Sequence, residues 1–324
     1  MRAHSIVSWT ALAGLALMLP GLSAAQDYPV KPIRVVNAYA AGGPNDLTVR
    51  PIAQHLSEVF GQQVIVENRP GANGNIGADF VVRATPDGYT LLFASTSQLT
   101  INPALYSMPF DPMRDLAPIG AATMNPSVIV IHPGVPAGSM KELIAHARSN
   151  PGKLSYASAG NGSVNHLAGE LLSMITQSKL LHVPFNGSGP ALNETVAGRV
   201  DMFIVSPATT LPFIKAGKLK MLMVSAPKRL SFVPDVPTMI EAGLPEFISQ
   251  SGTGFLAPAK TPRAAISRFN AEVVKYLNSP DAIAKMTALG LQLVPGTPEE
   301  YAQVLRDEST RWAAVVKAAS IKIQ

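Results

Sequence analysis

The chain has 324 residues, a length that predicts two domains and excludes a single small module. It contains no cysteine, which excludes disulfides and thiolate metal sites, and its 47% hydrophobic content excludes a disordered chain. Lys and Arg (26) exceed Asp and Glu (21) but are scattered along the sequence, so no basic stripe indicates a nucleic acid as partner.

The first 25 residues predict a secretory signal peptide. Arg2 supplies a positive charge, and an apolar stretch runs from Ile6 to Leu19. Ser23 and Ala25 are the small residues of a cleavage site after Ala25. The apolar stretch is shorter than the roughly 20 residues that span a bilayer, which disfavours the alternative of a membrane anchor. An exported chain without cysteine fits the periplasm of a Gram-negative bacterium.

Strands and helices alternate after the signal peptide, so the predicted fold class is α/β. A β-α-β-α-β pattern over 33–93 predicts a parallel sheet with right-handed crossovers. Further strands are predicted at 128–131 and 154–157. Ser139 and Glu142 predict a capping box at one helix start, and another helix begins at Val164. Two later helices begin with a threonine cap followed by proline, at Thr261-Pro262 and Thr297-Pro298.

The loop Ala41-Gly42-Gly43-Pro44-Asn45-Asp46 joins the first strand to the first helix and suits an anion. Paired glycines let the backbone approach a ligand, and the following helix start adds unpaired N–H groups. Asp46 has two possible roles. It either caps this helix, or it holds the loop so that the N–H groups of the glycine turn face the ligand.

A second loop of this kind is Ser158-Ala159-Gly160-Asn161-Gly162-Ser163. It resembles GxGxxG, but Asn165 replaces the last glycine and no acidic residue follows in the expected position, so a dinucleotide is disfavoured. Oriented amides with Ser and Asn side chains favour a carboxylate or similar anion. His166 is either a ligand donor or a packed, hydrogen-bonded histidine.

Two more loops follow predicted strands, and ligands of open α/β sheets bind beyond strand carboxyl ends. One is the hydroxyl-rich Ser95-Thr96-Ser97-Gln98, and the other is the glycine-rich segment 186–190. The glycine-rich segment 71–77 is interpreted mainly as tight strand-to-helix packing.

Catalytic motifs are absent from the sequence. It contains no GxSxG, HExxH or phosphate-binding P-loop, and its six histidines lack metal-ligand spacing. Asp201 has no evident general-acid partner. Several anion-binding loops without adjacent chemistry predict a binding protein that is not an enzyme and needs no cofactor or metal.

The chain resembles the substrate-binding proteins of tripartite tricarboxylate transporters, often called the Bug family. The similarity runs the length of the mature chain, and NRPGA with PDGYTLL is highly specific. The matching strings are YPVKPIRVV (28–36), AGGPND (41–46), GQQVIVENRPGANGNIGAD (61–79), PDGYTLLF (86–93), INPALY (101–106), GNGSVNHLAGEL (160–171), HVPFNGSGPAL (182–192), AGRVD (197–201), VPTMIEAGLP (236–245) and TPEEYAQVLRDESTRWAAVV (297–316).

The resemblance implies a type II periplasmic-binding-protein fold whose two α/β domains close over a carboxylate ligand. Domain 1 would comprise 26–124 and 253–324, and domain 2 would comprise 125–252. The partners would be the small carboxylate and integral membrane transporter subunits, and we expect a monomer. The implied ligand-binding residues are Ala41, Gly42, Gly43, Pro44, Asp46, Ser95, Thr96, Ser97, Ser158, Gly160, Asn161, Ser163, His166, Phe185, Asn186, Gly187 and Asp201.

Three positions depart from the family pattern. The family's PGG is AGG here, with Ala41 in place of the proline. Asn186 stands at the basic or aromatic position of the family's VPYKG, and Gly252 stands at the tryptophan position of its SW.G. The last change predicts a wider pocket and a bulkier acid, such as an aromatic dicarboxylate. Two other functions stay open: a periplasmic sensor that signals to a two-component sensor kinase, and an exported enzyme.

Overall fold

The computed structural model describes residues 28–42, 44–288 and 291–321. The predicted signal peptide at 1–25 and Gly43 lie outside the described residues. Within these ranges, no helix combines the length and the hydropathy that a bilayer crossing requires.

The described residues form an alternating series of strands and helices. In chain order, the strands are β1 (Ile33–Asn37), β2 (Val64–Asn68), β3 (Thr90–Ser95), β4 (Leu116–Pro126), β5 (Val128–Ile131), β6 (Ser155–Ser158), β7 (Leu181–Pro184), β8 (Met202–Val205), β9 (Lys220–Val224) and β10 (Gln250–Pro258). The helices are α1 (Pro44–Phe60), α2 (Asn75–Val82), α3 (Thr96–Thr100), α4 (Asn102–Leu105), α5 (Pro112–Asp115), α6 (Met140–Ser149), α7 (Val164–Thr176), α8 (Ser188–Val196), α9 (Pro207–Lys215), α10 (Arg263–Leu277), α11 (Pro280–Ala288) and α12 (Pro298–Ala318).

The strands assemble into two five-stranded sheets. The first sheet has the order β2-β1-β3-β10-β4, and the second has the order β7-β6-β8-β5-β9. In the first sheet β1 pairs in parallel with β2 and β3, as the β-α-β-α-β pattern predicted. In the second sheet β6 pairs in parallel with β7 and β8. The α/β fold class is confirmed.

Helices cover both faces of each sheet, which explains why the strands are apolar without alternation. In β1, Val35 packs toward α1 and α10 while Val36 packs toward α2. In β5, Ile129 joins a cluster with α6 and α7, while Val130 joins a cluster with α8. Successive side chains point to opposite faces, so a fully buried strand needs apolar residues at every position.

Strands β4 and β10 carry the chain between the two sheets. They pair antiparallel along their whole length, from Leu116 opposite Pro258 to Pro126 opposite Gln250. The ribbon continues into the second sheet, where Ser127 donates its N–H to the Ser249 carbonyl at 2.9 Å. The chain therefore crosses between the sheets at about 126–128 and 248–250, and the domain boundaries at 124–125 and 252–253 stay a prediction.

Helix α12 contributes to the cores of both sheets. Tyr301 and Leu305 lie in a cluster with residues of the first sheet. Trp312 and Val315 lie about two to four turns later and pack against residues of the second sheet. The sequence interpretation had placed the Trp312 helix in domain 1, but its carboxyl-terminal half packs against the other sheet.

Two helix starts differ from the sequence predictions. At α10 the cap residue is Pro262 instead of Thr261, and the buried Thr261 hydroxyl has no hydrogen-bond partner within the described ranges. At α6, Ser139 caps the helix as predicted, but the Glu142 carboxylate accepts the N–H of Gly138 instead of Ser139. The capping box at Thr297 and Glu300 is complete.

Candidate ligand-binding cleft

A cavity of about 260 Å³ lies between the two sheets, at the carboxyl ends of their strands. Most of the residues that line it are polar, and both sheets contribute to it. The first sheet and its loops supply Tyr39, Asn45, Asn73, Ser95, Ser97, Ile101 and Asn102, and the start of α7 supplies Gly162, Ser163 and Val164. Ser95, Ser97 and Ser163 were predicted as site residues.

Asp46 fixes the first of these loops. Its carboxylate is 4% exposed and accepts hydrogen bonds from Gly42 N at 2.9 Å, Arg50 Nε at 2.8 Å and Asn68 Nδ2 at 2.9 Å. The Arg50 guanidinium is the main cause that holds the pKa of Asp46 well below its usual range. Asp46 lies inside α1 and bonds backward to Gly42, so it holds the loop, while the contact of the glycine turn with a ligand stays a prediction.

Ser95 organises the loop after β3. Its hydroxyl caps α3 by accepting Gln98 N at 3.2 Å, and it lies 2.6 Å from the Tyr39 hydroxyl and 3.1 Å from the Ser97 hydroxyl. Thr96 was predicted to contact ligand, but its side chain is buried beside the Tyr301 hydroxyl. The cavity therefore meets Ser95 and Ser97 and not Thr96.

Asn73 reaches the cavity from the segment 71–77, which the sequence analysis had attributed mainly to packing. Asn73 has a left-handed backbone (φ 53°), and its Nδ2 donates to Asn102 Oδ1 at 2.8 Å. Asn102 in turn donates to Asn75 Oδ1 at 2.7 Å. Packing still explains Gly77, since a Cβ there would lie 3.0 Å from the Ala38 Cα. The segment serves packing and cavity lining together.

The start of α7 lies beside the cavity and carries unpaired backbone donors. Ser163 caps the helix by accepting His166 N at 3.3 Å, and its own hydroxyl donates to the Gly160 carbonyl at 2.6 Å. Among the described residues, no acceptor bonds the N–H groups of Val164 or Asn165. Unpaired N–H groups and the helix dipole make this end of α7 attractive to an anion.

His166 lies behind this loop and is 8% exposed. Its Nδ1 accepts the Gly162 N–H at 3.0 Å, and its ring stacks on the His182 ring with centroids 3.9 Å apart. Burial lowers the pKa of His166. Of the two roles predicted for His166, the structure matches the packed, hydrogen-bonded one.

Most of the remaining predicted residues of the second sheet belong to the loop 158–163 or to the neighbouring loop 185–187. Ser158 is fully buried, and its hydroxyl lies 2.7 Å from His182 Nε2 and accepts the Gly160 N–H at 3.1 Å. Gly187 N donates to the Ala159 carbonyl at 3.2 Å, which joins the two loops, and Phe185 is half-buried between them. Asn161 and Asn186 are exposed. Ala41 and Gly42 are exposed too, and Pro44 is the first residue of α1.

Comparison with known proteins identifies the family. The family model described as tripartite tricarboxylate transporter family receptor matches residues 48–321. The chain belongs to this family.

Three solved structures illustrate how similar this receptor is to its relatives. The structure described as Rpa4515 of R. palustris with adipate is 31% identical, with a TM-score of 0.77, covering 91% of this chain and 99% of that one. MatC of Rhodopseudomonas palustris with bound malate is 33% identical, with a TM-score of 0.73, covering 89% and 100%. The periplasmic binding protein BugD is 32% identical, with a TM-score of 0.72, covering 92% and 100%. The predicted family and the predicted periplasmic-binding-protein fold are confirmed.

Asp201 lies outside the receptor's cleft, contrary to its predicted role. It immediately precedes β8, and its Oδ2 accepts hydrogen bonds from both N and Oγ of Ser155, at 2.8 and 2.7 Å. Ser155 begins β6, so this pair lies at the amino ends of parallel strands. The cavity loops follow the carboxyl ends of the same strands. Asp201 links the start of β6 to the start of β8.

Gly252 gives the receptor no extra room in the cleft. It lies buried in β10 opposite Met124 of β4. A Cβ at this glycine would lie 2.7 Å from both the Met124 Sδ and the Thr123 carbonyl oxygen. The expectation of a pocket widened by the missing tryptophan is therefore wrong, because neighbouring atoms of β4 occupy that space.

Proposed function

We propose that this receptor captures a small aliphatic dicarboxylate in the cleft between its sheets and delivers it to a membrane transporter. The observation that carries the proposal is the pair of unpaired N–H groups of Val164 and Asn165 beside a cavity with polar walls. One carboxylate of the ligand would accept hydrogen bonds from these two N–H groups. The other would reach the side chains of Asn73, Ser97 and Asn102 across the cavity.

The composition of the wall supports an anion bound by dipoles. No Lys or Arg is among the residues that line the cavity, and Arg50, on the adjacent helix, is paired with Asp46. Backbone amides and hydroxyls therefore supply the positive ends, as at other anion sites built on helix starts. A volume of about 260 Å³ accommodates a chain of four to six carbons with both carboxylates. The adipate and malate of the solved relatives are acids of this size.

The family supports a proposal for the location and the partners. The relative BugD is described as a periplasmic binding protein, and the sequence of this receptor begins with a predicted signal peptide. We propose that the mature chain works in the periplasm as a monomer and docks on integral membrane transporter subunits. The ribbon of β4 and β10 is the natural hinge for closure around the ligand.

A ligand screen tests the proposal on the mature chain, residues 26–324. Thermal shifts would be recorded with succinate, malate, adipate, citrate and phthalate, followed by calorimetry. A ligand at 100 times its Kd stabilises the fold by roughly 2.7 kcal/mol. We expect stabilisation by the aliphatic dicarboxylates. If no carboxylate stabilises the fold, the proposal fails, and if only the aromatic acid does, its aliphatic specificity is wrong.

Val164 offers a matched pair of variants for the same assay. Val164→Pro deletes one donor at the first position of α7, where proline is tolerated because its N–H has no helical partner. The preceding Ser163 has an extended backbone (ψ 158°) that suits a following proline. Val164→Ala shortens the same side chain but keeps the N–H. We expect the proline variant alone to lose about tenfold in affinity.

A further inference from the structure

The geometry behind the loop points to a role for the paired imidazoles of His166 and His182. We propose that His166 is a positioning residue whose neutral ring aims the loop Gly160–Ser163 at the ligand, so that a proton on this pair weakens binding. This proposal rests on the proposed function, because it assigns a regulation to the same anion site.

The hydrogen bond to His166 fixes which nitrogen carries the proton. Gly162 N donates to Nδ1 at 3.0 Å, so Nδ1 must be an unprotonated acceptor. The proton of the neutral ring then lies on Nε2, which faces Glu170 Oε1 at 4.0 Å. In the cation both nitrogens are donors, and Nδ1–H would point at Gly162 N–H. Protonation and the observed loop are therefore incompatible.

His182 supports the loop at a second point. Its Nε2 lies 2.7 Å from the Ser158 hydroxyl, which bonds both the N–H and the carbonyl of Gly160. The parallel rings of His166 and His182, 3.9 Å apart and inclined by 7°, leave no space for water between them. Two loop residues, Gly160 and Gly162, are thus held by two stacked rings.

Burial of the pair favours neutral rings. Tyr156 of β6 stacks on His182 with centroids 5.0 Å apart, and its hydroxyl donates to Glu170 Oε1 at 2.6 Å. Burial and Glu170 raise the pKa of Tyr156, so it stays a donor. The Glu170 carboxylate favours a charge on His166, but burial outweighs it and the pKa of His166 is lowered. Burial and the neighbouring His166 lower the pKa of His182 to about 4.

Acid should therefore release the ligand in steps. Above pH 6.5, the ordinary pKa of histidine, both rings are neutral and the loop is held. As the pH falls through the lowered pKa values of the pair, a proton on His166 breaks the bond from Gly162 and frees the start of α7. A bound anion attracts a cationic ring, so tighter binding in acid is the outcome that opposes the proposal.

Three variants separate positioning from simple packing. His166→Asn places an amide oxygen where Nδ1 accepted and does not titrate, whereas His166→Leu has no acceptor. His146→Asn, in the last turn of α6, is the control for a histidine outside the site. Near pH 7.5 we expect His166→Leu to lose about tenfold in affinity for adipate and His166→Asn to stay within about threefold. As the pH falls from 6.5 toward 4, wild type and His146→Asn should weaken relative to His166→Asn, and comparison at equal pH cancels protonation of adipate itself.

A ligand-free measurement keeps this proposal distinct from the proposed function. Nitrogen NMR of the histidine rings should report His166 neutral with its proton on Nε2, and the Gly162 amide signal should move when His166 titrates. A proton on Nδ1 at neutral pH would overturn the proposal even if the receptor bound no dicarboxylate. If wild type binds adipate and His166→Leu binds equally well, or if the ratio of wild-type to His166→Asn affinity is independent of pH, the proposal fails while the proposed function stands.

Discussion

Replacing Asp46 with asparagine tests how the first loop is held. The wild-type carboxylate accepts three donors, Gly42 N, Arg50 Nε and Asn68 Nδ2, with only 4% of the residue exposed. In Asp46→Asn one oxygen becomes an NH₂ group, which faces donors instead of accepting from them. At least one buried donor then loses its acceptor, and the turn before α1 loosens.

The magnitude follows from these three bonds. The ion pair with Arg50 contributes only about 0.3–0.5 kcal/mol, because the arginine side chain is half exposed and the pair has i,i+4 spacing. Hydrogen bonds from Gly42 and Asn68 to a charged group contribute about 1.5–3 kcal/mol each, and they do not add fully. We expect a loss of about 2–3 kcal/mol in the free energy of unfolding, which lowers Tm by roughly 4–12 °C.

Calorimetric unfolding of wild type, Asp46→Asn and a control measures this loss. The control is Asp281→Asn, which removes another i,i+4 ion pair, to Lys285, on the exposed side of α11 and should leave Tm unchanged. Because the pKa of Asp46 is lowered in the folded state, its stabilisation is present above its unfolded value of about 4 and is lost as the pH falls below it. Equal Tm values for Asp46→Asn and Asp281→Asn near pH 7 would refute this account of the loop, as would a difference that grows in acid.

Three further substitutions test other parts of the structure. Gly160 has φ 127°, so Gly160→Val strains the loop and should weaken dicarboxylate binding at least tenfold by calorimetry; unchanged affinity would remove this loop from the site. In wild type Trp312 Nε1 donates to Glu308 Oε2 at 2.8 Å, and Glu308→Leu removes this acceptor. The free energy of unfolding should fall by about 1–3 kcal/mol, measured by denaturant unfolding with tryptophan fluorescence, and unchanged stability would contradict this expectation. Gly252→Ala should lower the free energy of unfolding by about 1–3 kcal/mol, because the new methyl group contacts Met124. The order of ligand affinities should stay unchanged, and a selective loss of affinity for ring-bearing acids would restore the idea of a widened pocket.

Local sequence signals predicted the parts of the fold that depend on neighbouring residues. The β-α-β-α-β pattern gave the parallel strands, because burial of both faces leaves a run of apolar residues in each. The loop before α7 was noticed because its glycines lie in one short segment, 158–163, directly before a helix start; its contact with a ligand stays a prediction. The Thr297 cap was predicted because threonine followed by proline marks a helix start within two residues.

Contacts between distant segments were not visible in the sequence. Asn73 and Asn102 are 29 residues apart and meet only in the folded chain, so their place in the cavity wall went unnoticed. Asp201 was assigned to the site by resemblance, but strand direction places it at the other end of the sheet. The direction of the missing Gly252 side chain depends on the pairing of β10 with β4, which no local pattern encodes.

A crystal structure of the mature receptor with its tightest dicarboxylate tests the central claim most directly. The account predicts one carboxylate within about 3 Å of the Val164 and Asn165 nitrogens, with the other beside Asn73 and Ser97. A dicarboxylate bound elsewhere, for example in the groove of about 360 Å³ beside Arg263 and Asn270, would contradict the account, as would one in the cleft whose carboxylates avoid the start of α7.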